Sequence, residues 1–274
     1  MKYTITFFLL LYNLSASTLF AQENEWAEEE NNTSKFFIGV NVGAIFPNSN
    51  TATIYTGTND ITPFGIDYIM NIPENKTTFD AYFKNPYYVA EYPQKPVYKP
   101  ALNIGLHAGI NLGKGNTLFT DLNFSTVKYE QTFTMAIDDP NNQSVDPTYE
   151  QFPIIGEEKR FNLNIGTQLS LFNEESINIY WSFFGNFNSI KLEQNYIVID
   201  NKQYNIIHSS MLTNNQQPGG IGYGGGTGLG LKYKLTDNIS TDLTYNFYYT
   251  KTKMNDFVQS FGMQHGIMFR VIWN

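Results

Sequence analysis

Cysteine is absent from the 274 residues. That excludes disulfides, thiolate chemistry, cysteine-ligated metal sites and the lipidated cysteine of a lipoprotein. Charge is scarce as well: Asp, Glu, Lys and Arg make up 15 % of the chain, against about 25 % in an average soluble domain. The net charge is −8, so no nucleic-acid partner is expected. Beyond the N-terminus no apolar run is long enough to span a bilayer as a helix, and a mean hydropathy of −0.31 argues against a helical membrane protein. Histidine occurs only at His107, His208 and His265. Nothing beyond the lone pair His208-Ser209 resembles a nucleophile with its base and orienting group. No catalytic set, cofactor or metal site is expected.

The N-terminus reads as an export signal over residues 1–21. Lys2 supplies the positive end, Ile5 to Leu11 a short apolar core, and Ala21-Gln22 a cleavage point. Residues 22–34 carry Glu23, Glu25, Glu28, Glu29 and Glu30 and few apolar side chains, which reads as a flexible acidic leader. The remaining residues, 35–274, read as one domain.

What the chain has in abundance is a two-residue rhythm. From Ala101 to Leu112, Leu102, Ile104, Leu106, Ala108, Ile110 and Leu112 share one face, and Asn103, Gly105, His107, Gly109 and Asn111 the other. Successive strand side chains point to opposite faces, so this is a strand with one apolar and one polar side. The pattern returns at 35–46, 117–132, 159–171, 177–192, 221–235, 239–250 and 260–273. Eight such segments with no helix to cover them predict an all-β fold, an eight-stranded antiparallel transmembrane barrel with a polar inside. A soluble sandwich or lipocalin-like barrel would carry more charge on its polar face than these Asn, Gly, Ser, Gln and Thr residues supply.

The connections alternate in length. Gly113 to Asn116, Phe172 to Ser176 and Thr236 to Asn238 are short. Residues 47–100, 133–158, 193–220 and 251–259 form the longer ones. Short periplasmic turns and long extracellular loops behave this way, and an even strand number places both termini in the periplasm. All eleven prolines fall outside the expected strands, as the loss of a ladder donor requires.

Three groups of residues are candidates for a role. Gly222, Gly224, Gly226, Gly228 and Gly230 share the inward face of one strand. They form either a lumen groove for a ligand or space for inward aromatics such as Phe119, Tyr129, Tyr180, Phe184 and Tyr248. Asp121, Lys232, Asp242 and Arg270 point inward near the short turns, and Asp242 is expected to pair with both Lys232 and Arg270, since a lumen charge needs a partner. Tyr55, Tyr68, Tyr82, Tyr87, Tyr88, Tyr92 and Tyr98 crowd the first long loop. Tyrosine brings large contact area at modest entropic cost, so this loop is either a partner-binding surface or a self-packed cap. Residues 196–200 and 203–207, flanking Asn201-Lys202, are read as a hairpin above the membrane.

The terminal run Phe269-Arg270-Val271-Ile272-Trp273-Asn274 resembles the C-terminal signal that outer-membrane barrels present to their insertion machinery. The chain as a whole resembles the small outer-membrane barrel family of Bacteroidota that includes PorT-like proteins, some of which serve type IX secretion. The resemblance implies an outer-membrane barrel in contact with lipid and carries over no active-site residue. The function expected is non-enzymatic: a structural or accessory subunit of a larger secretion or uptake complex, docking through loops and outer face onto a protein partner. The alternative is a small transport pore or ligand-binding barrel using the glycine-lined lumen.

Overall fold

The structure, a computed structural model, describes residues 36–58, 64–142, 144, 146–208, 217–255 and 258–274. The expected export signal, the acidic leader, Lys35, Ser209 and Ser210 lie outside the described residues. In chain order the strands are β1 (Phe36–Phe46), β2 (Tyr87–Glu91), β3 (Ala101–Gly113), β4 (Asn116–Ile137), β5 (Thr148–Asn173), β6 (Ile177–Ile199), β7 (Lys202–Asn205), β8 (Gly219–Lys234), β9 (Ile239–Lys253) and β10 (Gln259–Trp273). Two helices, α1 (Ile66–Asn71) and α2 (Pro73–Phe83), lie in the first long connection.

Eight antiparallel strands form a ring in the order β1, β3, β4, β5, β6, β8, β9, β10. It closes where β10 returns to β1, with Ile38 opposite Trp273 and Phe46 opposite His265. Closure pairs the backbone groups an open edge would leave exposed. These are the eight segments that the alternation predicted. The β3–β4 turn places Lys114 and Gly115 at φ +52° and +78°, the double positive φ of a tight hairpin whose twist suits the strands it joins. Asp200 and Asn201, at +51° and +56°, do the same between β6 and β7, one residue before the expected turn.

Three strands run longer than the alternation suggested. β4, β5 and β6 hold 22, 26 and 23 residues, although about 9 to 11 tilted residues cross a bilayer. Most of what reads as a loop between Phe133 and Glu158 is therefore ladder, continuing to Ile137 opposite Thr148. Pro153 lies within β5, contrary to the expectation that no proline does. It faces Thr132 of β4 just where the pairing with β6 has ended at Ile154. A proline tolerates such an edge.

The reason these extensions were missed is a change of polarity at constant phase. Along β6, Ile177, Ile179, Trp181, Phe183 and Phe187 point outward, and Tyr180, Ser182, Asn186 and Asn188 point in. Above Phe187 the outward positions become Ser189 and Lys191 and the inward ones Ile190 and Leu192. On β4 the outward series Leu118, Leu122, Phe124 gives way to Thr126, Lys128, Glu130, while inward Asp121, Asn123, Ser125 give way to Val127 and Tyr129. On β5 the change falls between Phe161 and Lys159. Adjacent strands switch at neighbouring rungs, since Phe124 faces Phe161 and Lys159 faces Lys191. Below that level hydrocarbon suits the outside and the lumen is polar; above it water is outside and a core lies within.

Below the level the outer face is predominantly apolar, interrupted at outward positions such as Thr120, Thr167, Thr227 and His265. Ile104 and Phe247 are 50 % and 47 % exposed rather than converging on a core. Rings mark its upper edge: Phe124 against Phe161 at 5.0 Å and Tyr249 against Phe261 at 5.4 Å. No helix among the described residues is long and apolar enough to cross a membrane.

Candidate functional site

The lumen narrows on a buried cluster near the short-turn end. Arg270 of β10 donates from Nη1 to Asp242 Oδ2 and from Nη2 to Asp121 Oδ2, both at 3.0 Å. The Tyr180 hydroxyl donates to Asp242 at 2.6 Å, and Thr244 donates to the same carboxylate at 2.8 Å. Asp121 also meets His107 Nδ1 at 2.6 Å and accepts from Asn41 at 3.3 Å. Strands β1, β3, β4, β6, β9 and β10 thus each send a side chain to one point. Ladder geometry explains the convergence, because Arg270 faces Asp242 and His107 faces Asp121 across neighbouring strands.

Of the four charges singled out in the sequence, three meet and one does not. Lys232 faces Asp242 in register, yet Asp242 is held by Arg270, Tyr180 and Thr244. The Lys232 ammonium instead stands 5.2 Å from the Phe37 ring centroid, a cation over an aromatic face. The expected Lys232–Asp242 pair is corrected accordingly. Arg270 approaches from the next strand with two donors in a rigid fork and satisfies two carboxylates at once. The periodicity placed His107 in the lumen without naming its partner, and it read Tyr180 as filling the glycine groove without its hydrogen bond to Asp242.

The inward glycines of β8 make room for their neighbours. A β-carbon at Gly226 would stand 2.5 Å from the Phe184 ring, and one at Gly230 would overlap the Tyr180 ring. Gly228 abuts Asn246, Gly222 the Lys251 carbonyl and Gly224 the Tyr249 carbonyl. Phe184 in turn packs on Tyr248 at 5.1 Å and Phe119 at 6.3 Å. Side chains therefore occupy the groove along these positions. Tyr129 is not among them; it stacks on Tyr55 at 5.5 Å above the lumen.

A second charged cluster sits at the level where polarity changes. Arg160 Nε donates to Glu158 Oε1 at 2.5 Å, and Tyr98 and Tyr55 donate to Glu158 Oε2 at 2.8 and 3.1 Å. The Arg160 guanidinium lies 5.1 Å from the Tyr98 ring centroid. Burial, reinforced by the Glu158 carboxylate, holds both phenols well above their ordinary pKa. Sequence reading missed this cluster. Its signal was the inward phase of β5, in which Arg160 and Glu158 continue Asn164 and Asn162.

Over this cluster the first long connection folds into a cap. A single 3₁₀ turn, Ala52–Tyr55, is inserted into the barrel mouth with Ala52, Ile54 and Tyr55 fully buried. Gly156 is required here, since a β-carbon would overlap the Tyr55 ring. Phe79 and Phe83 of α2 add to a core shared with Phe133, Phe152, Ile154 and Ile197. The seven tyrosines divide. Tyr55 and Tyr98 are buried, so they cannot contact a partner as expected of that loop; their hydroxyls serve Glu158. Tyr87 and Tyr92 are half-buried, and Tyr68, Tyr82 and Tyr88 are exposed. His208, buried beside Asn195 Nδ2 at 3.1 Å, is pushed down to about 4 by burial.

No nucleophile accompanies His107 or His208 among the described residues. What the arrangement does is close a tube twice, once with ion pairs and once with a cap. Closed ring, apolar girdle and polar lumen define the class: an eight-stranded antiparallel barrel of the transmembrane type. No protein-family model matches the chain, and no curated protein matches it either. Among solved structures, Neisserial surface protein A aligns over 88 % of this chain and 97 % of its own at 8 % identity, with a TM-score of 0.43. OprG from Pseudomonas aeruginosa aligns over 88 % and 93 % at 10 % identity and 0.37. Ail of Yersinia pestis, an attachment invasion locus protein by its description, aligns over 88 % and 98 % at 11 % identity and 0.32. The class assignment rests on the strand ring and its two faces, not on these likenesses.

Proposed function

We propose that this chain is a non-enzymatic outer-membrane barrel that serves as a structural or accessory subunit of an envelope complex, with both termini in the periplasm. The observation that carries the reading is double closure. The Asp121–Arg270–Asp242 cluster fills the lower lumen, and the cap with Tyr55 and Tyr98 on Glu158 fills the upper mouth. A barrel closed in this way works through its surfaces. The exposed Tyr68, Tyr82 and Tyr88 of the cap are the aromatic contacts offered to a protein partner. The resemblance of the chain's overall strand pattern to PorT-like barrels makes a secretion complex the first partner to test. The C-terminal strand is the segment offered to the insertion machinery.

Purification in gentle detergent followed by mass spectrometry of companions tests this reading. A specific companion should accompany the wild type and be lost when Tyr68, Tyr82 and Tyr88 are replaced together by serine. Recovery of the protein alone under conditions that preserve other envelope complexes would count against it. One observation favours the alternative of a transport pore. Between the two clusters the lumen is lined by polar atoms without a hydrogen-bond partner, among them Asn123 Oδ1, Ser125 Oγ, Asn162 Nδ2 and Asn188 Oδ1. Steady single-channel currents from the purified protein in planar bilayers would select the pore.

A further inference from the structure

The outer face carries a hollow and, beside its upper end, an unbalanced group of cations. The hollow, about 470 Å³ and almost wholly apolar, has a floor of Val40, Val42, Ile104 and Leu106 and walls of Phe124 and Phe269. It arises because short branched side chains on β1 lie between longer ones on β4 and β10. Four residues above Phe124 on β4, about 13 Å along the strand, stands Lys128. Lys159 on β5 and Lys191 on β6 face each other directly across the ladder, and Thr126, two before Lys128, faces Lys159. All three point outward and are exposed. Lys159 meets Glu193 at 3.1 Å. Among the described residues no ion pair engages Lys128 or Lys191.

Like charges directly opposite on neighbouring strands are destabilising. Here they occur at the rung where the outside turns from apolar to polar, the depth of lipid headgroups. Glu157, which faces Lys128, and Glu193 leave the three lysines in excess by one positive charge.

We propose that this face binds a phosphate-bearing lipid of the outer leaflet, with an acyl chain in the hollow and the phosphate between Lys128, Lys159 and Lys191. The proposal deepens the membrane reading above and rests on it. Phosphate is the matching chemistry because it offers several acceptor oxygens to separate ammonium groups. β4 links the two features, with Phe124 in the wall of the hollow and Lys128 four residues above it, while Lys159 and Lys191 follow on the next two strands.

The test uses the full barrel in detergent mixed with lipid A, dephosphorylated lipid A or phosphatidylcholine, read by native mass spectrometry. Phosphorylated lipid A should be retained preferentially. Each of K128Q, K159Q and K191Q should lower that preference roughly fivefold. V42W with L106W, which fills the hollow, should reduce retention of both lipid A forms alike. Equal retention of the phosphorylated and dephosphorylated forms, or a preference unchanged in the triple lysine variant, would overturn the proposal. Resistance of each variant to unfolding in detergent shows that a lost preference is not lost structure. A wild type monodisperse in plain buffer would instead overturn the membrane reading itself.

Discussion

Arg270 is the residue on which the lower lumen depends. It is buried between Asp121 and Asp242, and its replacement removes the one group that pairs with both carboxylates. Breaking one partner of a buried pair costs about 3–5 kcal/mol, so Arg270→Gln should lower stability by that order in a urea titration of the folded barrel. Gly230→Ala should also destabilise, by about 1–3 kcal/mol, because the new methyl overlaps the Tyr180 ring. Gly185→Ala is the control. Its β-carbon would point outward, with the nearest heavy atom 3.9 Å away, and should change stability by no more than about 0.5 kcal/mol. His208 predicts a pH effect in the cap. Its pKa is lowered from 6.5 to about 4 by burial, so the unfolded chain binds the extra proton first. The contribution of the neutral ring is complete above about pH 6.5 and is lost as pH falls toward 4, of order 3 kcal/mol in all. Limited proteolysis of the cap should accelerate across that window, and His208→Gln should flatten the response. At this scale Asp121, Asp242 and Arg270 were legible, because strand phase gives the face and ladder order the neighbours. The true partners of Lys232 were not, because reach across a lumen depends on which rival donor arrives first.

Elements follow the solvent on each side of them. A period of two persists through β4, β5 and β6, but the apolar side exchanges faces between Phe124 and Lys128, Phe161 and Lys159, and Phe187 and Lys191. Substitutions at outward positions should therefore read depth. Ile165→Lys, deep in the apolar band, should cost about 2–4 kcal/mol, whereas Thr126→Leu, just above it, should stay within about 0.5 kcal/mol. Equilibrium unfolding from lipid vesicles measures both, and equal costs would contradict the placement of the boundary. The eight crossing segments were legible because each shows one predominantly apolar face. Their upper extensions were not, since there the outward phase carries Thr, Ser, Lys and Glu and the apolar residues take the inward one. The cap helices were hidden for another reason. α1 and α2 hold 6 and 11 residues, too short to stand alone, and they exist by packing Ile66, Ile69, Phe79 and Phe83 into a core that strands complete.

At the scale of the whole molecule, closure governs behaviour. The lipid-facing band leaves no soluble form, so the protein should aggregate in buffer and become monodisperse only with an amphiphile, as gel filtration with and without detergent would show. A monodisperse amphiphile-free species is the contrary result. Strand number, alternation, short turns and the exclusion of membrane-spanning helices were settled by the chain itself, because they depend on side-chain order along a backbone with two faces. Tertiary structure alone decided that Arg270 bridges Asp121 and Asp242, that Tyr55 and Tyr98 turn inward to Glu158, and that Lys128, Lys159 and Lys191 gather on the outer face of three adjoining strands. Those facts join residues from distant parts of the chain, and only the closed ring, with its fixed register and limited lumen, determines which of them come within a hydrogen bond of one another.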